Sequence, residues 1–259
     1  GLDAGTWTMQ PGSPRMQTRK GGGALLQRGR KLYEGKWKIL YETRDPGLLI
    51  QWFKDTPMVG PIPPRAKLPR RGAMKNHISA ALFTLLQKNG IPSHFVEVLG
   101  EREMLVRRLE MIRLEVVLRN IAAGSLAKRL GMEVGTALPA PVLEFYYKSD
   151  ALGDPLLNGD HVRALGLATP EELKAIRETT LRANGILLPF FAEREILLAD
   201  FKVEFGRHRG ALMLGDDLTP DGCRFWDRTT RESLGKDRGR RSSAREAAAY
   251  REIFRRVCT

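Results

Sequence analysis

The amino-acid sequence predicts an α+β fold with two lobes. The chain has 259 residues, 42% of them hydrophobic and 28% charged, so it can bury a core and is not expected to be disordered as a whole. Segments typical of β-strands dominate the early part of the chain, and segments typical of helices become frequent later. This distribution favours an α+β architecture. The length predicts one large domain or two modest domains in close contact.

Charge and cysteine content narrow the classes of function. Lys and Arg total 43 against 30 for Asp and Glu, a formal net charge of +13. Such a surface attracts nucleic acid, acidic lipid or phosphorylated small molecules alike. The two cysteines, Cys223 and Cys258, exclude a disulfide scaffold and a multi-cysteine zinc module, and no apolar run approaches the roughly 18 residues that span a bilayer. We therefore expect a soluble, cytoplasmic protein that handles an anion.

The N-terminal part of the chain predicts a tail, then strands, then a loop. Residues 1–30 contain three consecutive glycines, five basic residues and one acid, and predict a flexible tail. Residues 32–42 predict two short strands that meet at a turn at Gly35, and residues 48–53 predict a further strand. Residues 57–71 hold five of the fifteen prolines and predict a loop.

Apolar periodicity and punctuating residues predict the remaining elements. Residues 72–89 carry the apolar stripe of a helix that stops at Gly90. The clearest helix start is the capping box at Thr169, and Pro189 should end or kink that helix. Further strands are predicted at 94–99, 104–109, 114–118, 196–205 and 211–214, and further helices at 125–130 and 250–257.

The segment at 196–206 is the most informative one. Side chains alternate between the two faces of a strand, so Asp200, Lys202 and Glu204 share one face, about 7 Å apart, opposite an unbroken apolar face. One interpretation is an amphipathic strand with a solvated outer face. The other is a catalytic face, because an acid, a base and an acid stand in a row beside the apolar Ile196 and Leu198.

A second acidic group follows a short predicted hairpin. Pairing in that hairpin could bring Asp216 beside Glu204, and two adjacent carboxylates suit a hard cation such as Mg²⁺. A turn that is stabilised by Asx hydrogen bonds would have the same sequence pattern.

Two basic segments are weaker signals for anion binding. Gly35 precedes Lys36 and Lys38, which would present two ammonium groups to a phosphate beside a flexible turn. Farther along, a helix that begins near Ser125 could bind an anion at its N-terminus, although a plain serine cap explains the same pattern.

Seven segments match one enzyme family in order and spacing, from about residue 31 to residue 256. They lie at 32–42, 120–131, 144–158, 164–173, 200–206, 215–227 and 236–238. On these segments the chain resembles the SAICAR synthetase family, the phosphoribosylaminoimidazole-succinocarboxamide synthases. The resemblance implies an antiparallel-sheet N-terminal nucleotide-binding lobe at 31–112 and a larger α+β substrate and catalytic lobe at 113–259. A nucleotide cleft would lie between them.

The resemblance also implies an ATP-dependent, amide-forming ligation in purine biosynthesis. The carboxylate of carboxyaminoimidazole ribonucleotide would be joined to the amine of L-aspartate through an acyl phosphate, with release of ADP and phosphate. ATP and Mg²⁺ are the implied cofactors, and a homodimer is the implied assembly. No nucleic acid or membrane partner is needed to explain the basic charge, because every substrate is an anion.

The roles of individual residues are implied by their positions in the matching segments. At the nucleotide, Gly35, Lys36 and Lys38 would face the phosphates, Met111 would lie at the adenine, and Glu204 and Asp216 would bind the ribose or Mg²⁺. Asp200 and Lys202 would lie near the transferred phosphate. The ribonucleotide would be held by Arg119, Ser125 and Arg224, with Lys236 and Arg240 as helpers.

The chain departs from the family pattern at several positions, including Arg113, where a proline is usual, and Gly239, where a phenylalanine is usual. Trp37 stands where the family usually has a small residue, so its ring must point away from the nucleotide, and its removal is expected to leave nucleotide affinity unchanged or improved. Lys75 stands where one of a pair of asparagines is usual. The loop at 56–66 has lost most of its usual polar groups.

Two alternatives follow from these observations. The altered loop could mark a nucleotide-binding relative that has lost ligation, which would bind ATP without aspartate-dependent turnover. The charge could instead mark an RNA-associated protein, although the chain has no aromatic interleaving and no RNA-module signature.

Overall fold

The structure is a computed structural model that describes residues 27–55, 70–234 and 243–258, without the side chains of residues 243–246. Most of the predicted tail, the loop at 56–66 and two predicted helper residues, Lys236 and Arg240, lie outside the described residues. At the end of the predicted tail, Arg30 pairs with Glu42. None of the described helices is long and apolar enough to cross a membrane.

The first half of the chain forms a five-stranded antiparallel sheet. Its strands are β1 (Lys31–Glu34), β2 (Lys38–Glu42), β3 (Leu48–Phe53), β4 (Phe95–Gly100) and β5 (Glu103–Arg107), in the order β1-β2-β3-β5-β4. The strand predictions over this part are confirmed to within about two residues at each end. Helix α1 (Arg71–Lys88) packs against β3, β4 and β5.

Helix α1 forms for the reasons that its sequence indicates. Its apolar side chains at Met74, Ile78 and Leu82 are buried, which matches the predicted stripe. The residue before it, Arg70, makes no side-chain cap, but the carboxylate of Asp55 accepts a hydrogen bond from the Gly72 N–H at 2.7 Å. Asp55 thus satisfies one of the amide groups that the first turn leaves unpaired.

The second half of the chain forms a larger sheet that is also antiparallel. Its strands are β6 (Glu110–Ile121), β7 (Ala137–Tyr147), β8 (Leu156–Leu157), β9 (Ile196–His208), β10 (Ala211–Gly215) and β11 (Cys223–Asp227). The order is β10-β9-β6-β7-β8, and β11 pairs with the first part of β9. The first sheet ends at Arg107 and β6 begins at Glu110, so the predicted lobe boundary after residue 112 falls inside β6.

Four helices accompany this sheet: α2 (Gly124–Leu130), α3 (Gly159–Ala164), α4 (Pro170–Ala192) and α5 (Ser243–Cys258). The capping box of α4 is confirmed, because Thr169 Oγ1 accepts from the Glu172 N–H at 3.2 Å and Glu172 Oε2 accepts from the Thr169 N–H at 2.9 Å. Pro189 does not end α4, which continues to Ala192. The missing proline N–H removes a single helical hydrogen bond near the C-terminus, a loss that a helix of 23 residues tolerates.

The two sheets share one apolar core. It includes Phe53 from the first sheet, Phe201 from the second, and Ile253 from α5, all fully buried. The sheets also meet directly, because the His94 N–H donates to the Leu214 carbonyl at 2.8 Å. Helix α5 packs against α1, so the last described element returns to the N-terminal lobe. These contacts fix the position of the cleft between the sheets.

Candidate active site

The candidate active site lies along β9, the strand at the centre of the second sheet. One edge of β9 pairs with β6, and the other pairs first with β11 and then with β10. The register places Arg119 and Arg224 on either side of Asp200, and Glu115 opposite Glu204. Polar residues from neighbouring strands therefore meet on the β9 face that the sequence analysis singled out.

One group of charged side chains surrounds Lys202. This Lys202 cluster consists of Lys38, Glu115, Lys148, Lys202, Glu204 and Asp216. Lys202 Nζ donates to Glu204 Oε1 at 2.7 Å, to Glu115 Oε1 at 3.0 Å and to Asp216 Oδ2 at 3.3 Å. Lys148 Nζ donates to the other Glu204 oxygen at 2.5 Å, and the Glu204 side chain is 1% exposed. The face is a buried ionic network, so its interpretation as a solvated outer face is wrong.

Burial and charge together keep the groups at the centre of this cluster ionised. Burial alone would raise the pKa of Glu204, but the ammonium groups of Lys202 and Lys148 lower this pKa to about 2. Burial alone would lower the pKa of Lys202, but Glu204 and Glu115 raise it well above its ordinary value. Lys202 is therefore a permanent positive charge at neutral pH and is unsuited to act as a base.

Lys38 reaches into the same cluster from the first sheet. It forms an ion pair with Asp216, and its ammonium lies 4.0 Å from Asp217. Burial lowers the pKa of Lys38 to about 8, and the nearby carboxylates of Asp217 and Glu204 offset only part of this effect. Asp216 adopts a left-handed backbone conformation with φ of 61°, and Gln51 Nε2 donates to its carbonyl at 3.4 Å. Two residues of the first sheet thus hold the end of β10.

The two other predicted phosphate-binding residues of the first sheet lie beside Lys38 in the turn between β1 and β2. The Gly35 N–H donates to the Lys38 carbonyl at 2.9 Å, and Lys54 Nζ donates to the Gly35 carbonyl at 2.8 Å. Lys36 is exposed and forms no ion pair with the described part of the chain. The structure therefore brings Lys38 into the cluster and leaves Lys36 at its rim.

A second group lies farther along β9, around Arg119. This Arg119 cluster consists of Arg119, Ser125, Glu144, Asp200 and Arg224. Arg119 donates to Glu144 Oε2 at 2.7 Å, to Asp200 Oδ2 at 3.0 Å and to Ser125 Oγ at 3.0 Å, while Arg224 donates to the same Asp200 oxygen at 2.7 Å. The side chains of Arg119 and Asp200 are each 4% exposed. Arg119 is thus an interior residue whose guanidinium is bonded within the protein.

Gly124 allows the two arginines and helix α2 to approach each other. It has a φ of 53°, in the left-handed region, and a Cβ at this position would collide with the guanidinium of Arg224. Both observations favour glycine immediately before Ser125. A larger residue would adopt a strained backbone and displace the Arg224 guanidinium from the first turn of α2.

The predicted adenine contact, Met111, lies near the end of β10. Its side chain is 40% exposed, and a Cβ on Gly215 would lie 3.2 Å from its sulfur. Gly215 directly precedes Asp216, so Met111 lies at the apolar edge of the Lys202 cluster.

The structure also reveals site residues that the sequence analysis missed. Glu115 and Lys148 contact the centre of the Lys202 cluster, and Glu144 holds Arg119. Glu115 lies on β6 four residues before Arg119, so alternation along a strand could have identified it. Lys148 follows directly after β7, and Glu144 lies within it; β7 was not predicted as a strand.

The carboxylates of the Lys202 cluster have the donor chemistry of a hard-cation site. Within the described ranges, no three His, Cys, Asp or Glu side chains are grouped so as to hold a metal ion. Glu204 and Asp216 are instead joined through Lys202, whose ammonium touches both. The oxygen atoms of these two carboxylates therefore already hold one positive group, the Lys202 ammonium, between them. Such oxygen donors fit Mg²⁺, which commonly binds one or two carboxylates together with substrate phosphates.

The fold and the site together define a class: a two-lobed α+β enzyme with an ionic cleft suited to phosphorylated substrates. The SAICAR synthetase family model matches residues 31–257, and the chain belongs to this family. A phosphoribosylaminoimidazole-succinocarboxamide synthase of Desulfitobacterium hafniense strain Y51 is 49% identical over 232 residues, covering 90% of this chain and 98% of that protein.

Solved structures agree with this assignment. The enzyme of the same name from Ehrlichia chaffeensis superposes with a TM-score of 0.83 at 38% identity, covering 88% of this chain and 98% of that one. A SAICAR synthetase in complex with ADP superposes with a TM-score of 0.81 at 41% identity, covering 87% and 96%. The family resemblance and the two-lobed fold are confirmed, and the chain is an ATP-dependent ligase of purine biosynthesis.

Proposed function

We propose that the two clusters on β9 divide the ligation between them, with the ATP phosphates at the Lys202 cluster and the ribonucleotide at the Arg119 cluster. The observation that carries this proposal is their adjacency on one strand. Asp200 and Lys202 are two residues apart on the same face, which corresponds to about 7 Å. A phosphoryl group that passes from ATP to the ribonucleotide carboxylate requires two adjacent binding sites that hold the reacting atoms close together.

On the nucleotide side, Lys38 would neutralise the phosphates and Lys36 would approach them from the rim of the turn. Met111 supplies apolar surface beside Gly215 for the adenine. The relative that was solved with ADP, at 41% identity, supports a nucleotide in this cleft. Glu204, held ionised, would accept hydrogen bonds from the ribose or bind the metal ion.

Glu204 and Asp216 are the residues that would hold Mg²⁺. When bound, Mg²⁺ would neutralise phosphate charge and polarise the transferred group. Lys202 and Lys38 are compact, flexible ammonium groups, so they can exchange a carboxylate contact for a phosphate oxygen. The chain's own part is to hold these two carboxylates beside the phosphates.

On the ribonucleotide side, Ser125 and Arg224 would contact the anionic substrate. Arg119 is buried behind them, and we propose that it acts by fixing the orientation of Ser125 and Asp200. Asp200 lies between two guanidinium groups, which hold its carboxylate in one orientation. Lys236 and Arg240 remain predicted helpers.

The chemistry follows from the low reactivity of a carboxylate. The carboxylate of carboxyaminoimidazole ribonucleotide attacks the γ-phosphorus of ATP, which releases ADP and forms an acyl phosphate. The aspartate amine then attacks the acyl carbon, loses a proton and displaces inorganic phosphate. Lys202 stays protonated throughout, and its role is to stabilise the negative charge on the transferred phosphoryl group.

The test is ADP release with Mg-ATP, the imidazole ribonucleotide and L-aspartate, each omitted in turn. We expect release that requires all three substrates. ATP binding without aspartate-dependent release would instead indicate a relative that has lost ligation. A cytoplasmic location, a homodimer and the lack of a nucleic-acid partner stay predictions from the sequence and the resemblance.

A further inference from the structure

A third group of charged side chains surrounds Trp37, next to the Lys202 cluster where the nucleotide is proposed to bind. This residue lies in the turn between β1 and β2, between the two predicted phosphate-binding lysines. Lys75 Nζ lies 3.7 Å from the centroid of the Trp37 ring and Arg71 Cζ lies 4.2 Å from it. We call Trp37, Arg71, Lys75 and Asp221 the Trp37 cluster. The ring points onto α1, as the sequence analysis required.

The two cations of the Trp37 cluster are buried and share a carboxylate. The side chain of Lys75 is 0% exposed and that of Arg71 is 7% exposed. Both pair with Asp221, Arg71 at 2.5 Å. Removing cations from water costs several kcal/mol each, and the shared Asp221 carboxylate offsets part of this cost. The electron-rich face of Trp37 is a further partner of both cations, and the Tyr250 ring lies 4.7 Å from Arg71 Cζ.

These contacts tie together three segments that meet at the nucleotide. Trp37 belongs to the β1–β2 turn, Lys75 to α1, and Asp221 to the segment that follows Asp216. The Lys54 N–H donates to the Trp37 carbonyl at 2.8 Å, so the backbone of the turn is held as well as the ring. The ion pair of Lys38 with Asp216 joins two of the same segments. The Trp37 cluster thus fixes both sides of that ion pair.

We propose that Trp37 and Lys75 are positioning residues for the nucleotide: their contact holds the β1–β2 turn where Lys38 faces the ATP phosphates. This inference rests on the proposed function of Lys38. This proposal predicts the opposite of the expectation that removal of Trp37 leaves nucleotide affinity unchanged or improved.

The experiment compares Trp37→Leu, Lys75→Met and the double variant. Lys75→Met keeps the side-chain stem and leaves Asp221 paired with Arg71. We expect KM for Mg-ATP to rise about tenfold in each single variant, as for the loss of a desolvated cation–π contact. KM for the imidazole ribonucleotide should stay within about twofold. The double variant should resemble Trp37→Leu, because that change already removes the contact that Lys75→Met removes.

Two further variants make the result specific. Trp37→Phe keeps an aromatic face and should restore most of the Mg-ATP affinity that Trp37→Leu loses. Arg194→Met removes a cation–π contact of the same 3.7 Å length, with Phe190 near the end of α4, and should leave KM for Mg-ATP unchanged. A lower melting temperature with unchanged KM for Mg-ATP in Trp37→Leu and Lys75→Met would overturn the proposal.

Calorimetric titration with Mg-ATP separates this inference from the proposed function. If the wild-type chain shows no aspartate-dependent ADP release, the proposed function fails. The Kd for Mg-ATP still shows whether the contact between Trp37 and Lys75 positions the β1–β2 turn for nucleotide binding. Weaker binding in both single variants and rescue by Trp37→Phe would support the positioning role. An unchanged Kd in both would overturn it.

Discussion

The two clusters on β9 differ in the kind of cation that they use. The Lys202 cluster is built from ammonium groups, and Lys148 and Lys202 have side chains that are 44% and 21% exposed. The Arg119 cluster is built from guanidinium groups, and Arg119 is 4% exposed. An ammonium is a flexible point charge, whereas a guanidinium makes several directional bonds in a fixed plane. One cluster can therefore exchange partners, and the other is fixed before substrate arrives.

This difference indicates how a single strand serves two substrates. Phosphoryl transfer requires charges that follow a changing phosphate, which suits mobile ammonium groups near solvent. The ribonucleotide must be held in one orientation, which suits a buried guanidinium network. Substitutions in the Lys202 cluster should therefore act mainly on turnover, with a loss of stability where the side chain is buried, as at Glu204. Substitutions in the Arg119 cluster should reduce stability as well.

The largest effect is expected for Glu204→Gln. The change removes the negative charge that Lys202 and Lys148 share and alters almost no volume. We expect turnover to fall by about a thousandfold with the fold retained, and the loss of a buried carboxylate that two ammonium groups share also lowers the free energy of unfolding. Glu172→Gln, which disrupts a carboxylate pair with Arg207 outside the site, is the matched control and should retain turnover. Normal turnover of Glu204→Gln would contradict the assignment of this face of β9.

Asp200→Asn should be the most destabilising change in the Arg119 cluster. It leaves the Arg224 guanidinium without its 2.7 Å carboxylate partner and removes one of the two carboxylates that contact Arg119. Breaking a buried ion pair by removing one partner costs about 3 kcal/mol or more. Urea denaturation should show this loss of unfolding free energy. A loss of unfolding free energy below about 1 kcal/mol, with turnover abolished, would mean that the charged groups of both clusters exchange partners equally easily.

The pH dependence of kcat/KM for Mg-ATP should distinguish the contribution of Lys38 from that of the Arg119 cluster. Because burial lowers the pKa of Lys38 to about 8, kcat/KM for Mg-ATP should fall about tenfold between pH 8 and pH 9 or slightly above. The folded chain binds fewer protons at Lys38 than the unfolded chain between pH 8 and the ordinary value of 10.5, so this group adds stability as pH rises through that window. Unfolding driven by Lys38 therefore cannot cause the loss.

A variant tests this interpretation. In Lys38→Arg the side chain stays charged over the whole range, so the decline in kcat/KM for Mg-ATP above pH 8 should disappear, whatever the activity at neutral pH. A decline of the same shape in this variant would assign it to another group.

The smallest effect is expected for Ser125→Ala. Ser125 accepts one 3.0 Å hydrogen bond from Arg119, whose guanidinium keeps its bonds to Glu144 and Asp200. We expect a loss of about 1 kcal/mol in ribonucleotide binding, a rise of about fivefold in its KM, with KM for Mg-ATP unchanged. Equal changes in both KM values would show that the two clusters do not divide the substrates.

Local features of the sequence predicted most of the fold. The stripe of α1, the stop at Gly90 and the capping box at Thr169 depend on neighbours within a few residues, and the structure agrees with each. Of the prediction that Pro189 ends or kinks α4, the end is wrong, because the helix continues to Ala192. Strand β7 was missed since its prolines and exposed residues weaken the strand pattern.

The residues of the site could be predicted from the sequence, but the contacts between their side chains could not. Alternation placed Asp200, Lys202 and Glu204 on one face, yet most of both faces of β9 is buried, because other elements, helix α4 among them, pack on the sheet. The contact of Trp37 with Lys75 joins residues far apart in sequence, and nothing local to either residue indicates it. The burial of Arg119 likewise depends on the register of three strands.

Helix α5 has a consequence for how the chain is made. Its Tyr250, Ile253 and Val257 are buried, and it packs against α1, which belongs to the first sheet. During translation the first sheet and α1 emerge long before the helix that covers them. The apolar surface of α1 consequently stays open to chaperones on the ribosome, and the N-terminal lobe completes its folding only after α5 has been synthesised.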